Sequence, residues 1–340
     1  MKIWFTKVSV LFLISIMVLA ACNLPGPTAE ATPPPVASNT PVIINAPPTE
    51  IQHQTIPVNL PSKRMSRIGD YDSSTTSKAA PGGDRFSRGE YERPFNANTM
   101  DTYFSYLDIQ NAWIFQDDTW IFGLIVIKTP GANNALSGNY ALQLDTNVDG
   151  KGDWLIMASK PTTTDWTTNG VQVWQDANRD IGGNIPVKAD EHAASGDGFE
   201  IKLFDSGQGN DPDLAWVRIA PDDAAIIQIA VKRSLINDDT YLANMWAGTS
   251  ALNPALFDFN DHMTHAQAGA ADPGLENFYP IKNLSELDNT CSMAIGFEPK
   301  GNEPGLCREF IPVNPGEAPP PVPGLPPPPE VPCGCSCVPC

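Results

Sequence analysis

Residues 111–128 read Asn111-Ala112-Trp113-Ile114-Phe115-Gln116-Asp117-Asp118-Thr119-Trp120-Ile121-Phe122-Gly123-Leu124-Ile125-Val126-Ile127-Lys128. Two runs of β-branched and aromatic residues flank a short polar turn. This predicts a β-hairpin: branched and aromatic side chains suit a pleated, half-buried surface, and Asp stabilises a turn by bonding nearby backbone. The first strand is expected from Tyr106 to Phe115 and the second from Thr119 to Lys128. Similar runs follow at Asn139 to Asp145, Trp154 to Ser159, Val171 to Gln175, Phe199 to Phe204, Leu214 to Ile219 and Tyr241 to Ala247, with Asp, Asn, Gly and Pro between them. Ala224 to Ile236 fits a strand or an amphipathic helix, because a short apolar run does not discriminate. The expected fold is all-β, a sandwich or jelly roll of roughly eight to ten strands with long Asp/Gly-rich loops.

Composition narrows the function. The chain has 340 residues, with 21 Lys+Arg against 39 Asp+Glu and a net charge of −18. A nucleic-acid binder needs clustered Lys and Arg for phosphate, so that class is excluded. Beyond residue 21 no apolar run approaches the ~18 residues of a spanning helix.

The two ends differ from the middle. Lys2 and Lys7 precede an apolar run from Val8 to Leu19, which describes a secretory signal over 1–21. Its ending, Leu19-Ala20-Ala21-Cys22, resembles the bacterial lipobox. The resemblance implies cleavage before Cys22, diacylglyceryl attachment to it, and anchoring in membrane lipid on the extracytoplasmic face. Residues 22–61 carry ten Pro in forty positions, and residues 312–332 carry eleven in twenty-one. Such segments cannot bury enough apolar surface to offset their ordering entropy, so they read as extended spacers. The expected organisation is a signal peptide (1–21), a Pro/Thr-rich linker (22–62), a β domain (63–311, with 63–97 loosely ordered), a Pro-rich linker (312–332) and a Cys-rich tail (333–340).

Within the domain, four segments occur in a suggestive order: Asn111-Ala112-Trp113-Ile114, then Trp120 to Leu124 after the Asp-Asp turn, Tyr140 to Asp145, and Gly198 to Leu203. The pattern, over about 100–260, resembles the β-sandwich of family 9 carbohydrate-binding modules and DOMON-type domains. The resemblance implies a sugar-binding or haem-binding sandwich and not an enzyme. The haem version needs Met and His ligands on facing strands, which the sequence does not place.

Asp145-Thr146-Asn147-Val148-Asp149-Gly150-Lys151-Gly152-Asp153 is the sharpest chemical motif. Hard Ca²⁺ prefers several oxygens around a tight turn. Asp145, Asn147 and Asp149 alternate, Gly150 permits the turn, the Lys151 carbonyl can add a ligand, and Asp153 closes the loop. The twelfth position is Ile156 where an EF-hand needs Glu, so the loop is of another type. The alternative is a solvated acidic turn. Asp176, Asn178 and Asp180 repeat the opening more weakly, with Ile181 at the turning position. Asp205 to Asp213 is a third acidic loop.

Cys291 and Cys307 are the domain's only cysteines, and in an exported chain they read as a disulfide. Cys333, Cys335, Cys337 and Cys340 form Cys-x-Cys-x-Cys-x-x-Cys, which suits disulfides or a thiolate metal site. No nucleophile elbow, zinc-protease helix or phosphate loop is present. The reading is therefore non-enzymatic, with glycoside hydrolysis by a carboxylate pair left open. His262 and His265 read as a polar loop. Trp166, in the polar run Thr163 to Thr168, and Trp174 are the candidate sugar-stacking residues. The expected function is a lipid-anchored, calcium-stabilised, carbohydrate-binding surface protein. The alternatives are a structural or adhesive envelope protein, or a metal- or haem-handling redox module. The expected partner is a polysaccharide or an envelope protein.

Overall fold

A computed structural model describes residues 51–76, 81–179, 181, 198–257, 259–270 and 280–307. Cys22, the signal peptide, Asp180, the Pro-rich segment 312–332 and the tail cysteines lie outside these residues.

The hairpin opens the sandwich. Its strands and their partners are β1 (Arg64–Gly69), β2 (Glu92–Arg93), β3 (Ile109–Gln116), β4 (Trp120–Ile127), β5 (Asn139–Asp145), β6 (Trp154–Ser159), β7 (Val171–Gln175), β8 (Ile201–Asp205), β9 (Gln208–Gly209), β10 (Ala215–Ala220), β11 (Asp223–Lys232), β12 (Tyr241–Gly248), β13 (Leu287–Asn289) and β14 (Met293–Ile295). Two helical turns, α1 (Phe259–His262) and α2 (His265–Ala268), follow β12. One sheet runs β1-β3-β4-β11-β10; the other runs β2-β13-β12-β5-β6-β7-β8-β9, with β14 also on β12. All named pairings are antiparallel, and the fold is the expected all-β sandwich.

The hairpin turn forms as its residues dictate. Asp117 Oδ1 accepts from the backbone N–H groups of Thr119 at 2.8 Å and Trp120 at 2.7 Å. The ambiguous run after Ala224 is strand β11. Ile227, Ile229 and Val231 alternate inward, and β11 lies between β4 and β10. Packing against two neighbours settles what periodicity alone left open.

Ile114, Ile121 and Ile125 from the first sheet meet Leu142, Leu144 and Ile156 from the second in the central core. Each sheet is also covered on its outer face. Trp120, Phe122 and Leu124 of β4 point outward against Trp216, Leu60 and Trp166. Leu155 and Met157 of β6 and Trp246 of β12 point the other way, under Phe257, Phe259 and Leu284. Strands buried on both faces lose the apolar/polar alternation of a half-exposed sheet. That is why Trp120–Ile127 reads as one continuous apolar run.

Two boundaries differ from expectation. Residues 63–97, expected to be loose, hold β1 and β2. Residues 51–60, expected in the spacer, dock on the body. Leu60 joins the outer cluster, and the backbone N–H groups of Gln54 and Thr55 both donate to Asp213 Oδ2 at 2.8 Å. A Pro-rich segment stays extended, but an extended segment can still be held when a side chain satisfies its amides.

Candidate functional site

The loop between β5 and β6 carries Asp145, Asn147, Asp149 and Asp153 along a left-handed turn at Val148 (φ 59°) and Gly150 (φ 85°). Asp145 is buried at the end of β5; its Oδ1 accepts from Val148 N–H and its Oδ2 from Gly150 N–H, both at 2.7 Å. Burial pushes the Asp145 carboxyl up to about 6, opposed by the Gly150 amide and reinforced by Asp149. Asp153 Oδ2 accepts from Thr146 N–H at 2.7 Å, Asn147 Oδ1 from Asp149 N–H at 3.0 Å, and Asp149 Oδ1 from Lys151 N–H at 2.9 Å. A Cβ on Gly150 would fall 2.3 Å from Pro304, so the loop packs closely on the C-terminal segment. The donor set is entirely hard oxygen, and each carboxylate oxygen keeps a lone pair beyond the one its amide uses.

The weaker loop lies beside it, since Asp176 N–H donates to Asp153 O at 3.0 Å. Asp176 is buried and accepts from Arg179 N–H at 2.7 Å and Ile181 N–H at 3.3 Å, an Asx-type turn. Asn178 is exposed. The third acidic loop is matched by cations: Asp205 with Lys202 at 2.6 Å and Asp211 with Lys232 at 2.7 Å.

Trp166 and Trp174 are half-buried. Trp166 leans on Phe122, donates its indole N–H to Val58 O at 3.0 Å, and carries the Arg218 guanidinium 4.4 Å above its ring. Trp174 donates to Gln172 Oε1 at 3.1 Å and has Lys202 Nζ 5.5 Å from its ring centre. The structure does not bring these two rings together with the Asp145 loop into one cluster. His262 and His265 fall on α1 and α2, and His265 stacks on Phe86 at 5.6 Å. Cys291 and Cys307 form the expected disulfide, with Cα atoms 4.9 Å apart.

A further group went unread in the sequence. Asp70 follows β1, Glu92 lies on β2 and Asp288 on β13. One carboxylate oxygen of each lies within 4.8 Å of the others. Asp288 is fully buried; its Oδ2 accepts from Ile109 N–H at 2.6 Å, while its Oδ1 has no partner. Asp70 Oδ1 accepts from Tyr71 N–H at 3.0 Å, and its shielded Oδ2 has no partner. Glu92 Oε1 accepts from Ser73 Oγ at 2.8 Å. Asp108 stands alongside, holding Ser73 N–H at 3.2 Å and the Tyr103 hydroxyl. Burial pushes the Asp70 carboxyl up to about 8, and burial with the neighbouring acids drives Glu92 and Asp288 well above the usual range. Charges this close repel by roughly 3 kcal/mol per pair at an effective dielectric of about 20. No local pattern foretold this group, because its members come from three separate stretches that only the sheet pairing β2-β13 and the sandwich edge unite.

No family model matches the chain, and neither a curated protein nor a solved structure matches it significantly.

Proposed function

We propose that this chain is a lipid-anchored, extracytoplasmic, non-catalytic binding protein whose β-sandwich is stabilised by calcium and presents a carbohydrate-binding surface. The observation that carries the reading is the Asp145–Asp153 loop. Its alternating oxygen-bearing residues lie within nine positions about a left-handed Gly150, and Asp145 Oδ2 accepts from the Gly150 amide. Asp145, Asn147, Asp149, Asp153 and the Lys151 carbonyl would hold the ion, which would offset the repulsion among the carboxylates. Trp166, set in a polar loop beside Arg218, is the stacking residue of this reading, with Trp174 as a second. Cys22 supplies the anchor, and the Pro-rich segment after it holds the domain away from the membrane.

A second reading, a structural or adhesive envelope protein without a small ligand, is favoured by one observation. A cation stands over the ring of each candidate tryptophan: Arg218 over Trp166 and Lys202 over Trp174. A pyranose would have to displace it.

The test is a glycan-array screen of the full chain in calcium and again in chelator, beside membrane partitioning of the wild type and Cys22→Ser. Calcium-dependent binding to a defined sugar class, lost in Trp166→Ala, is the expected result. Silence from folded protein would move the weight to the adhesive reading. Unchanged partitioning of Cys22→Ser would end the anchor.

A further inference from the structure

The carboxylates of Asp70, Glu92 and Asp288 sit where the edges of the two sheets meet. Asp70 caps the outermost strand of the five-stranded sheet, and Glu92 and Asp288 belong to the paired β2 and β13 at the edge of the other. Among the described residues no Lys or Arg hydrogen-bonds or ion-pairs with any of the three. Arg85 and Arg88 line the cleft beside them, without a hydrogen bond or ion pair to the three. Arg93 is held by Asp84 at 2.7 Å, Arg85 by Glu90 at 3.8 Å, and Lys128 by Asp72 at 2.5 Å. The observation that points to a ligand is the fully buried Asp288, whose Oδ1 has no partner although its Oδ2 is fixed by Ile109 N–H. Asp70 Oδ2 repeats the feature. A shielded carboxylate oxygen without a donor is costly unless something positive meets it.

We propose that Asp70, Glu92 and Asp288 hold one hard divalent cation, calcium, which clasps the two sheets together at this edge. The spacing fits. Ca²⁺ takes oxygens at about 2.3–2.6 Å, so ligands on opposite sides of the ion stand roughly 5 Å apart. Three oxygens within 4.8 Å can therefore share one ion without moving the backbone. The donor set has no sulfur or nitrogen, which disfavours zinc and softer metals. Water can complete the shell through a cleft whose lining includes Asp70, Gly83, Glu90 and Glu92 together with Arg85 and Arg88. A Cβ on Gly83 would lie 3.7 Å from Glu92 Oε2, so that oxygen borders the cleft. The site shares no residue with the Asp145 loop and does not rest on the function proposed above.

The experiment uses the full chain in detergent, stripped with chelator and titrated with calcium chloride. Bound calcium per chain and melting temperature are measured for the wild type, Asp288→Asn, Glu92→Gln and, from the other loop, Asp149→Asn. Calcium should raise the wild-type Tm by about 5 °C or more. Asp288→Asn keeps an acceptor for Ile109 N–H, and both it and Glu92→Gln should bind one ion fewer and show a smaller rise than the wild type. Asp149→Asn should keep the ion held here, so failure of one site is distinguishable from failure of the other. Wild-type stoichiometry in both Asp288→Asn and Glu92→Gln would overturn the proposal and identify a cluster that shares protons instead. Should those variants fail to fold, wild-type crystals soaked in terbium, a calcium stand-in, decide it. An anomalous peak among the three carboxylates supports the site, and none there overturns it.

Discussion

Arg93 is fully buried, an expensive place for a guanidinium. It is held because every direction of its donor fork meets an acceptor. Nε donates to Asp84 Oδ1 at 2.7 Å, Nη1 to Ala268 O and Leu284 O at 2.9 Å each, and Nη2 to Gly269 O at 3.2 Å. The Tyr91 ring lies 5.2 Å away. Arg93→Ala would strip the buried Asp84 carboxylate of its guanidinium partner, so urea unfolding should show a loss of about 3–5 kcal/mol. Arg93→Lys should recover little, since a point charge cannot serve the fork. A loss under about 1 kcal/mol would contradict this account. In the sequence, Glu92-Arg93-Pro94 looks like ordinary polar surface. A local pattern carries no sign that three carbonyls from residues 268–284 converge on it.

At the scale of elements, the segment 51–60 is attached through Asp213, beside Leu60 in the outer cluster and the Trp166 bond to Val58 O. His53 Nδ1 lies 2.7 Å from Asp213 Oδ1, the amides of Gln54 and Thr55 hold Oδ2, and the His53 ring packs 4.6 Å from Trp216. Burial would raise the Asp213 carboxyl, but those two amides, His53 and Lys232 outweigh it and hold the group below the usual carboxylate range. A carboxyl depressed on folding contributes stability that is present above its unfolded value near ~3.9 and is lost as pH falls through the folded one. Acidification below about pH 4 should therefore release this segment before the body unfolds, read as proteolytic nicking within 51–60 and a change in Trp216 emission. Asp213→Asn should weaken docking at neutral pH and abolish the acid step. Persistence of the step in that variant would assign it to another group. The other element-level differences have a similar origin. β5, β6 and β7 fall where the apolar runs put them, because each run is bounded by turn residues. β1, β2, β9 and β13 escaped notice because strands of two to six mostly polar or mixed residues exist only through their partners, and β14, three apolar residues, is too short to show a period.

At the scale of the molecule, each sheet packs on the central core and carries an apolar cluster on part of its outer face, and residues 291–307 are tied back by the Cys291–Cys307 bond. Cys307 packs against the central core, and its N–H donates to Ser292 O at 2.8 Å. The sixteen-residue separation gives a chain-entropy contribution of roughly 3 kcal/mol. Reduction, or a Cys291→Ser/Cys307→Ser pair, should lower Tm by roughly 6–12 °C in calorimetry. A shift within about 1 °C would mean that packing alone holds this stretch.

The sequence by itself determined the fold class, the hairpin with its Asp117 turn, the core strands other than β11, and the disulfide pairing. Each of these depends on residues close in the chain, or on having no rival partner in the domain. It also marked the Asp145 loop, whose ligand-bearing residues lie within nine positions. Tertiary structure alone decided that Trp166 and Trp174 lie beneath Arg218 and Lys202, that the start of the spacer docks on Asp213, and that Asp70, Glu92 and Asp288 converge. Those outcomes depend on which distant strands become neighbours, and neighbours across a sandwich leave no spacing that a linear pattern can record.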